Sequence, residues 1–469
     1  MQEAAESLPE NISTIERLIT GFSDLAWGTP LLVLLLGGGL FFLLYSRMLP
    51  FRYFRHAVAI LLGRYDDPNE PGHINHYQAL STALAATVGM GNITGVALAI
   101  TMGGPGAIFW MWVSAFLGVT TKYFTCTLAV MYRGKDSQGE LQGGPMYVIV
   151  EGLGKNWKAL AVFFSLMGMI GVLPMFQVNQ LTQVIRDVVL IPNQVAAGFV
   201  SNLVSGLVVA VIVGVVIFGG IKRIGKVTGR MVPVMVVLYV ISVLFIIFSQ
   251  PENILPSFGL IFRDAFTAES VLGGSLGALV ITGVRRAAFS NEAGIGTAPM
   301  AHGAAKTKEP VREGLVAMLG PVVDTIIVCT MTALALIMTG VWNMGESDGI
   351  TLTADAFEKA LPGFGSYLLT VCVAVFSLST MLSFPYYGTK CFSFVFGAKH
   401  SYIYKWFYLI TIPLGAIATL GTVVGIFDGA YALMAFPTMI SALLLSPKVV
   451  RASKDYFQRL KASKNHGSS

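Results

Sequence analysis

The chain has 469 residues, 54% of them hydrophobic and only 12% charged, with 31 Lys and Arg against 25 Asp and Glu for a net charge of +6. A soluble globular domain carries roughly 25% charged residues, so this composition excludes an ordinary water-soluble fold and points to lipid as the solvent. Cys126, Cys329, Cys372 and Cys391 all fall inside apolar stretches without metal-ligand spacing, which excludes a disulfide framework and reads as inert core thiols.

Along the chain, residues 1–26 are acidic, with Glu3, Glu6, Glu10, Glu16 and Asp24 against a single Arg17. A secretory leader starts basic and then turns apolar, so no cleaved leader is expected and 1–26 reads as an extracytoplasmic segment. A membrane helix needs about 20 mostly apolar residues. Breaks at Pro, Gly and charge clusters divide the rest into eleven such spans, near 28–47, 77–101, 105–131, 157–186, 194–219, 227–249, 270–300, 313–340, 364–395, 402–424 and 427–446. The organisation expected is an accessory span and connector (27–76), a first five-helix unit (77–249), an external connector (250–269), a second five-helix unit (270–446) and a basic cytoplasmic tail (447–469).

Basic residues test this count, because they gather in alternate, cytoplasmic loops. Most lie after odd-numbered spans: Arg47 to Arg64, Arg133 to Lys158, Lys222 to Arg230, Lys306 to Arg312, Lys390 to Lys405 and the tail from Lys448 to Lys464. The opposite side holds Arg17, Arg186, Arg263 and Lys359. The N-terminus is therefore expected outside and the C-terminus in the cytoplasm. The same asymmetry accounts for the net charge, so the tail reads as a solvated anchor near anionic lipid rather than a nucleic-acid site.

Two spans are interrupted. In hydrocarbon every backbone N–H and C=O needs an internal partner, so unwound helix survives only where it lines a cavity or is buried in protein. The second span breaks at Gly89, Met90, Gly91 and Asn92, and the seventh at Ser290, Asn291, Glu292, Gly294 and Gly296. Each break opens a set of five spans, and five is odd, so the two halves insert with opposite orientation. That is the pattern of an inverted-repeat transporter, whose half-helix ends face the substrate and its ion. The glycines at 37–39 and the aromatics Phe109, Trp110 and Trp112 carry no polar neighbours and read as packing or lipid-facing residues.

At these residues the sequence resembles the alanine or glycine:cation symporter family, also called sodium:alanine symporters. The resemblance covers nearly the whole chain. It is strongest in ALSTALAATVGMGNITGVALAITMGGPGAIFWMW at 79–112, GGPMY at 143–147 and RRAAFSNEAGIGTAPMAHGAA at 285–305. It implies an all-α, LeuT-like 5+5 inverted repeat, sodium as the co-transported ion and a small neutral amino acid as substrate. By the same resemblance, Gly89, Met90, Gly91 and Asn92 offer backbone amides to the substrate carboxylate. Phe289, Ser290 and Asn291 meet its ammonium, with Gln177, Asn179 and Phe384 completing the pocket. Ser379 and Thr380, with carbonyls around Ala86 and Gly89, hold sodium, a hard ion suited to oxygen ligands. The chain departs from the family pattern at Met90, where Thr or Ser is usual, at Phe384, in the region of a usual Trp, and at Thr125, where Glu is frequent. These departures point to an amino acid larger than alanine or of different shape.

An ionisable group inside a span costs about 3 kcal/mol by insertion scales and so faces a cavity or a partner. Lys122, Arg285, Arg286, Glu292 and Asp324 are such groups. They are expected to gate or couple, or else to form static ion pairs, with Glu292 pairing Arg286 and Asp324 pairing Arg285. Phe176 and Phe289 adjoin proposed ligands and are candidate gates. His56, His73, His76 and His302 lie near cytoplasmic helix ends without zinc spacing, so no metal other than sodium is expected. No nucleophile–base group marks an enzyme, and a single-chain inverted repeat argues against a channel. A proton-driven carrier titrating Glu292 or Asp324 is the chief rival reading.

Overall fold

The computed structural model describes residues 14–266, 275–343 and 349–466. The helices, in order, are α1 (Thr14–Ala26), α2 (Thr29–Tyr45), α3 (Phe54–Leu61), α4 (His76–Thr87), α5 (Met90–Gly103), α6 (Gly106–Met131) and α7 (Lys155–Leu190). There follow α8 (Phe199–Ile217), α9 (Gly220–Ser249), α10 (Ile254–Asp264), α11 (Ser275–Asn291), α12 (Thr297–His302) and α13 (Pro310–Thr339). The chain ends with α14 (Gly349–Ala360), α15 (Gly365–Phe396), α16 (Ser401–Ile417) and α17 (Leu420–His466). A short hairpin, β1 (Gly134–Lys135) with β2 (Leu141–Gln142), lies between α6 and α7.

Helix occupies the described part of each of the eleven expected stretches, of which 270–274 lies outside the described residues, but among the described residues seven helices are long and apolar enough to cross a membrane, or nine if each bent pair counts as one span. The bent pairs are α1 with α2, at 44°, and α4 with α5, at 40°. The described part of segment 1–26 is helix α1, which packs on α17. Trp27 at the bend is buried and donates Nε1–H to the Asp428 carbonyl at 2.9 Å. Two boundaries also move. The last two spans divide at residues 418–419 instead of 425–426, and α17 then runs unbroken through the basic tail. That tail is not freely solvated, because Tyr456 and Phe457 are buried, Phe457 stacks on Tyr53 and Tyr456 bonds His56 at 2.8 Å.

Burial sorts the helices into a central set and an outer one. The apolar window of α6 is 83% buried, whereas that of α8 is only 28% buried, with Val204, Leu207, Val208, Val211 and Val215 exposed for lipid. The central helices approach closely through glycine, as membrane interfaces do. Gly38 packs on Met439 and Gly39 on Leu117, in keeping with a packing role for the glycines at 37–39. At Gly314 on α13 a Cβ would lie 2.0 Å from Thr127 Oγ1 and 2.7 Å from the Tyr123 carbonyl of α6. Gly314→Val therefore overpacks this crossing, at a cost of about 1–3 kcal/mol. The purified variant is expected to melt at a lower temperature than wild type. Gly259→Ala, on an open face of α10, serves as the comparison, and equal melting of both variants would refute the close contact.

Candidate functional site

The first break follows from the last turn of α4. That helix starts with a capping box, in which Asn75 Oδ1 accepts from Gln78 N at 2.8 Å and Gln78 Oε1 accepts from Asn75 N at 3.2 Å. It ends where Val88 and Gly89 turn extended. The Gly89 amide, which would have closed the next turn on Ala85, donates instead to Asn92 Oδ1 at 2.9 Å. The carbonyls of Ala85 and Ala86 are thus released from the helix ladder. Hydroxyls of α15 occupy them: Thr380 Oγ1 lies 3.1 Å from the Ala85 carbonyl and 3.4 Å from that of Ala86, and Ser379 Oγ lies 3.4 Å from Ala85. A Cβ on Gly89 would lie 2.5 Å from Thr380 Oγ1. Ala86, Gly89, Ser379 and Thr380 therefore share one oxygen-rich corner, to which Ala85 is added.

The second break is set by backbone conformation. Glu292 adopts φ +55, Gly294 φ +88 and Gly296 φ +109. A side chain at 296 would be both strained and 2.4 Å from Thr438 Oγ1. Asn291 Oδ1 accepts the Ala293 amide at 2.9 Å and Thr438 donates to the Ile295 carbonyl at 3.0 Å, so side chains satisfy groups the helix has dropped. A left-handed glutamate is uncommon, and such backbone strain gathers at functional sites.

The two breaks touch. A Cβ on Gly91 would lie 3.1 Å from the Phe289 ring and 3.2 Å from Ser290 Cα. Asn92, fully buried, donates Nδ2–H to Ser290 Oγ at 3.2 Å and to the Asp324 carbonyl at 3.1 Å. Ser290 donates to Asp324 Oδ1, as does Thr325 at 2.9 Å, while Asn291 bonds Thr325 at 3.0 Å. Met90 is buried at the start of α5. Gln177 sits one turn before Gln180, whose Oε1 accepts from Thr94 of α5 at 3.2 Å, and Gln177 Oε1 is buried without a partner among the described residues.

Above the breaks lies an aromatic layer. The rings of Phe176 and Phe289 meet edge to face at 4.9 Å, Phe427 sits 4.7 Å from Phe289 and 6.2 Å from Phe384, and Tyr431 sits 4.2 Å from Phe427. Beyond it, the expected ion pairs are replaced. Arg285 Nε and Arg286 Nη2 both bind Asp428 Oδ2, at 2.7 and 2.8 Å, and Arg285 also reaches Asp24 and Ser23 of α1, each at 2.7 Å. Glu292 instead accepts from Thr297 and, at 2.7 Å, from Tyr431. The reason is geometric: at 1.5 Å per residue, Arg286 stands about 9 Å along the helix from Glu292, whose left-handed turn carries it away from the α11 axis. Lys122 is the buried cation within electrostatic reach of both Glu292 and Asp324.

At the opposite ends of the broken helices, Glu313 of α13 is fully buried and meets the Nδ1 atoms of His76 on α4 and His302 on α12. Lys390 donates to the carbonyls of Met300 and Gly143, at 2.8 and 3.3 Å, and Arg133 donates to those of Gly303, Ala305, Thr307 and Pro71. A parallel bridge joins Ile74 to Ala305. This clamp ties both half-helices to α6, α13 and α15. Among the described residues no group of three His, Cys, Asp or Glu has metal-binding geometry.

Asn179 is the expected site residue that falls elsewhere. Two positions from Gln177 on a helix is more than half a turn, and its amide bonds the carbonyls of Gly415 and Ala418 beside a separate cavity of about 380 Å³. Sequence reasoning missed Asp428 and Tyr431. Both stand in FDGAY, at the assumed start of the eleventh span, and their polarity within an apolar stretch was the available signal.

Comparison with known proteins places the chain among membrane transporters. An uncharacterised transporter from Haemophilus influenzae is 42% identical over 96% of this chain and 97% of its own length. The sodium/alanine symporter AgcS of Methanococcus maripaludis is 40% identical over 94% of this chain and 96% of its own. A solved structure of MhsT in complex with L-phenylalanine matches with a TM-score of 0.53 at 13% identity, covering 81% of this chain and 98% of that one, and shows the LeuT-like fold. The model of the Sodium:alanine symporter family matches residues 12–469. The chain belongs to that family, as a multi-pass plasma-membrane carrier, not an enzyme, that couples amino-acid transport to a cation.

Proposed function

We propose that the protein is a sodium-coupled symporter of a small neutral amino acid, working by alternating access with its N-terminus outside and its C-terminus in the cytoplasm. The observation that carries this reading is the meeting of released carbonyls with a hydroxyl pair. Ala85, Ala86, Ser379 and Thr380 converge beside Gly89, and these neutral oxygens suit a hard monovalent ion. The adjoining amides of Met90 and Gly91, at the N-terminal end of α5, favour a carboxylate, whereas the Gly89 amide, expected to join them, is held by Asn92 Oδ1. Gln177 Oε1, buried and unpartnered, supplies an acceptor for the ammonium, with Phe289, Ser290 and Asn291 on the facing break. A zwitterion held so bridges both half-helices, and its carboxylate lies near the ion. The bulk of Met90 and Phe384, both buried, shapes the side-chain end and extends the candidates from alanine and glycine to a larger neutral amino acid such as glutamine.

In this reading the aromatic layer with Arg285, Arg286 and Asp428 closes the outer side, and the Glu313 clamp with Lys390 and Arg133 closes the inner one. Proteoliposome uptake with sodium and proton gradients imposed separately tests the driving ion. Accumulation is expected with the sodium gradient alone, and accumulation following only the proton gradient would replace this reading by titration of Glu292 or Asp324. Thr380→Ala removes one proposed ligand and is expected to raise the half-saturating sodium concentration about tenfold, the equivalent of about 1.4 kcal/mol. An unchanged sodium dependence would remove Thr380 from the ion site.

Gln177→Ala is expected to weaken substrate affinity about tenfold to a hundredfold at saturating sodium, in the range of a hydrogen bond to a charged group. Its sodium dependence should move less. Competition by alanine, glycine and glutamine against a labelled substrate then orders the candidates, and equal affinity of wild type and variant for all three would place the ammonium elsewhere.

A further inference from the structure

Where α2 leaves the apolar zone, a cavity of about 550 Å³ opens between its end and the far half of α17, well away from the transport site. Arg47, Arg52, Lys454 and Lys461 line it, and no acidic residue does. None of these four cations forms an ion pair with a described residue. The wall between them is mostly apolar, made by Leu44, Leu49, Val450 and Phe457, with Ser46 and Gln458 as neutral polar members. Leu44 is 66% and Met48 44% exposed at the rim, an apolar lip continuous with the lipid-facing end of α2. The turn that presents Arg47 is unusual too: Arg47 and Met48 are consecutive non-glycine residues with φ +54 and +57, a conformation that costs energy and is kept where a site requires it.

Unpaired like charges gathered on one cavity repel each other and gain from an anion placed between them. A cationic cleft at the end of a membrane span, with an apolar lip, matches a lipid phosphate above and acyl chains below. A free phosphate shares the headgroup chemistry but has no use for the lip. We propose that this cleft is a binding site for an anionic phospholipid, its phosphodiester held by Arg47 and Arg52 from the α2 side and by Lys454 and Lys461 from α17. The bound lipid would fasten the end of α17 to the first span, beside the stacked pair Tyr53 and Phe457.

The test uses full-length protein, delipidated in a neutral detergent and titrated with phosphatidylglycerol, phosphatidylcholine or inorganic phosphate, with bound lipid read by native mass spectrometry and stability by melting temperature. Wild type is expected to retain phosphatidylglycerol at least about tenfold better than phosphatidylcholine, and the double variant Arg52→Gln, Lys454→Gln to lose that preference. The exposed pair Lys155→Gln, Lys158→Gln removes equal charge elsewhere and should behave as wild type. Arg52→Lys with Lys454→Arg, which keeps the charge, should restore retention in a folded background. Equal retention of both lipids by wild type, or loss of preference in the Lys155 and Lys158 variant, would overturn the site. Stabilisation by inorganic phosphate equal to that by phosphatidylglycerol would overturn the lipid assignment.

Discussion

A main-chain amide or carbonyl without a partner is intolerable in hydrocarbon, and the architecture of this protein is organised around two places where the helix ladder is deliberately dropped. At the first, Asn92 takes the Gly89 amide, which leaves the Ala85 and Ala86 carbonyls to the hydroxyls of α15. At the second, Asn291 and Thr438 take up the slack around Glu292, Ala293 and Ile295. Each break is thus stabilised by side chains from a different helix, so neither half-helix can move without disturbing α13, α15 or α17. The unwound geometry and the links between helices have one origin.

Burying charge imposes the second layer of order. Isolated ions in a low-dielectric interior cost several kcal/mol each, and here they are grouped so that each acid has donors. Asp428 takes two guanidiniums, Glu292 two hydroxyls and Glu313 two imidazoles. Lys122 stands near Glu292 and Asp324 at the level of the breaks. The groups differ in kind by position. Permanent arginine charge sits beyond the aromatic layer, hydroxyl-bonded carboxylates sit at the breaks, and histidines with carbonyl-capping Lys390 and Arg133 sit at the far end.

Much of this was legible in the sequence. The second and seventh spans could be seen to break because glycine, asparagine and serine at mid-span have no packing purpose that apolar residues would not serve better, and the structure joins those clusters through Asn92 and Ser290. Partner choice among the buried charges was not legible. Glu292 was expected to pair with Arg286 and Asp324 with Arg285, but Glu292, in a left-handed turn, bonds Tyr431, and Asp428 of α17 takes both guanidiniums. Asn179 failed for a simpler reason: a helix turns 100° per residue, so it could not share the face of Gln177 two positions earlier. The clamp on Glu313 joins residues 76, 302 and 313 from three helices, a coincidence that no local pattern announces.

The separation of these elements constrains how transport can proceed. The corner of carbonyls and hydroxyls proposed for the ion touches α4 and α15, while the aromatic layer and Asp428 engage α7, α11, α15 and α17, and Glu313 joins α4, α12 and α13. No closing contact at either end uses an atom of the proposed ion site, so an ion there acts on the ends through the breaks and along α4 and α15, which also carry His76, Phe384 and Lys390. Asn92 is the residue placed to carry that influence, since one amide group fixes the first break through Gly89 and reaches the second through Ser290. In the proposed mechanism a ligand that straightens or tightens either break alters the other through this side chain and through the close approach of Gly91 to Phe289 and Ser290.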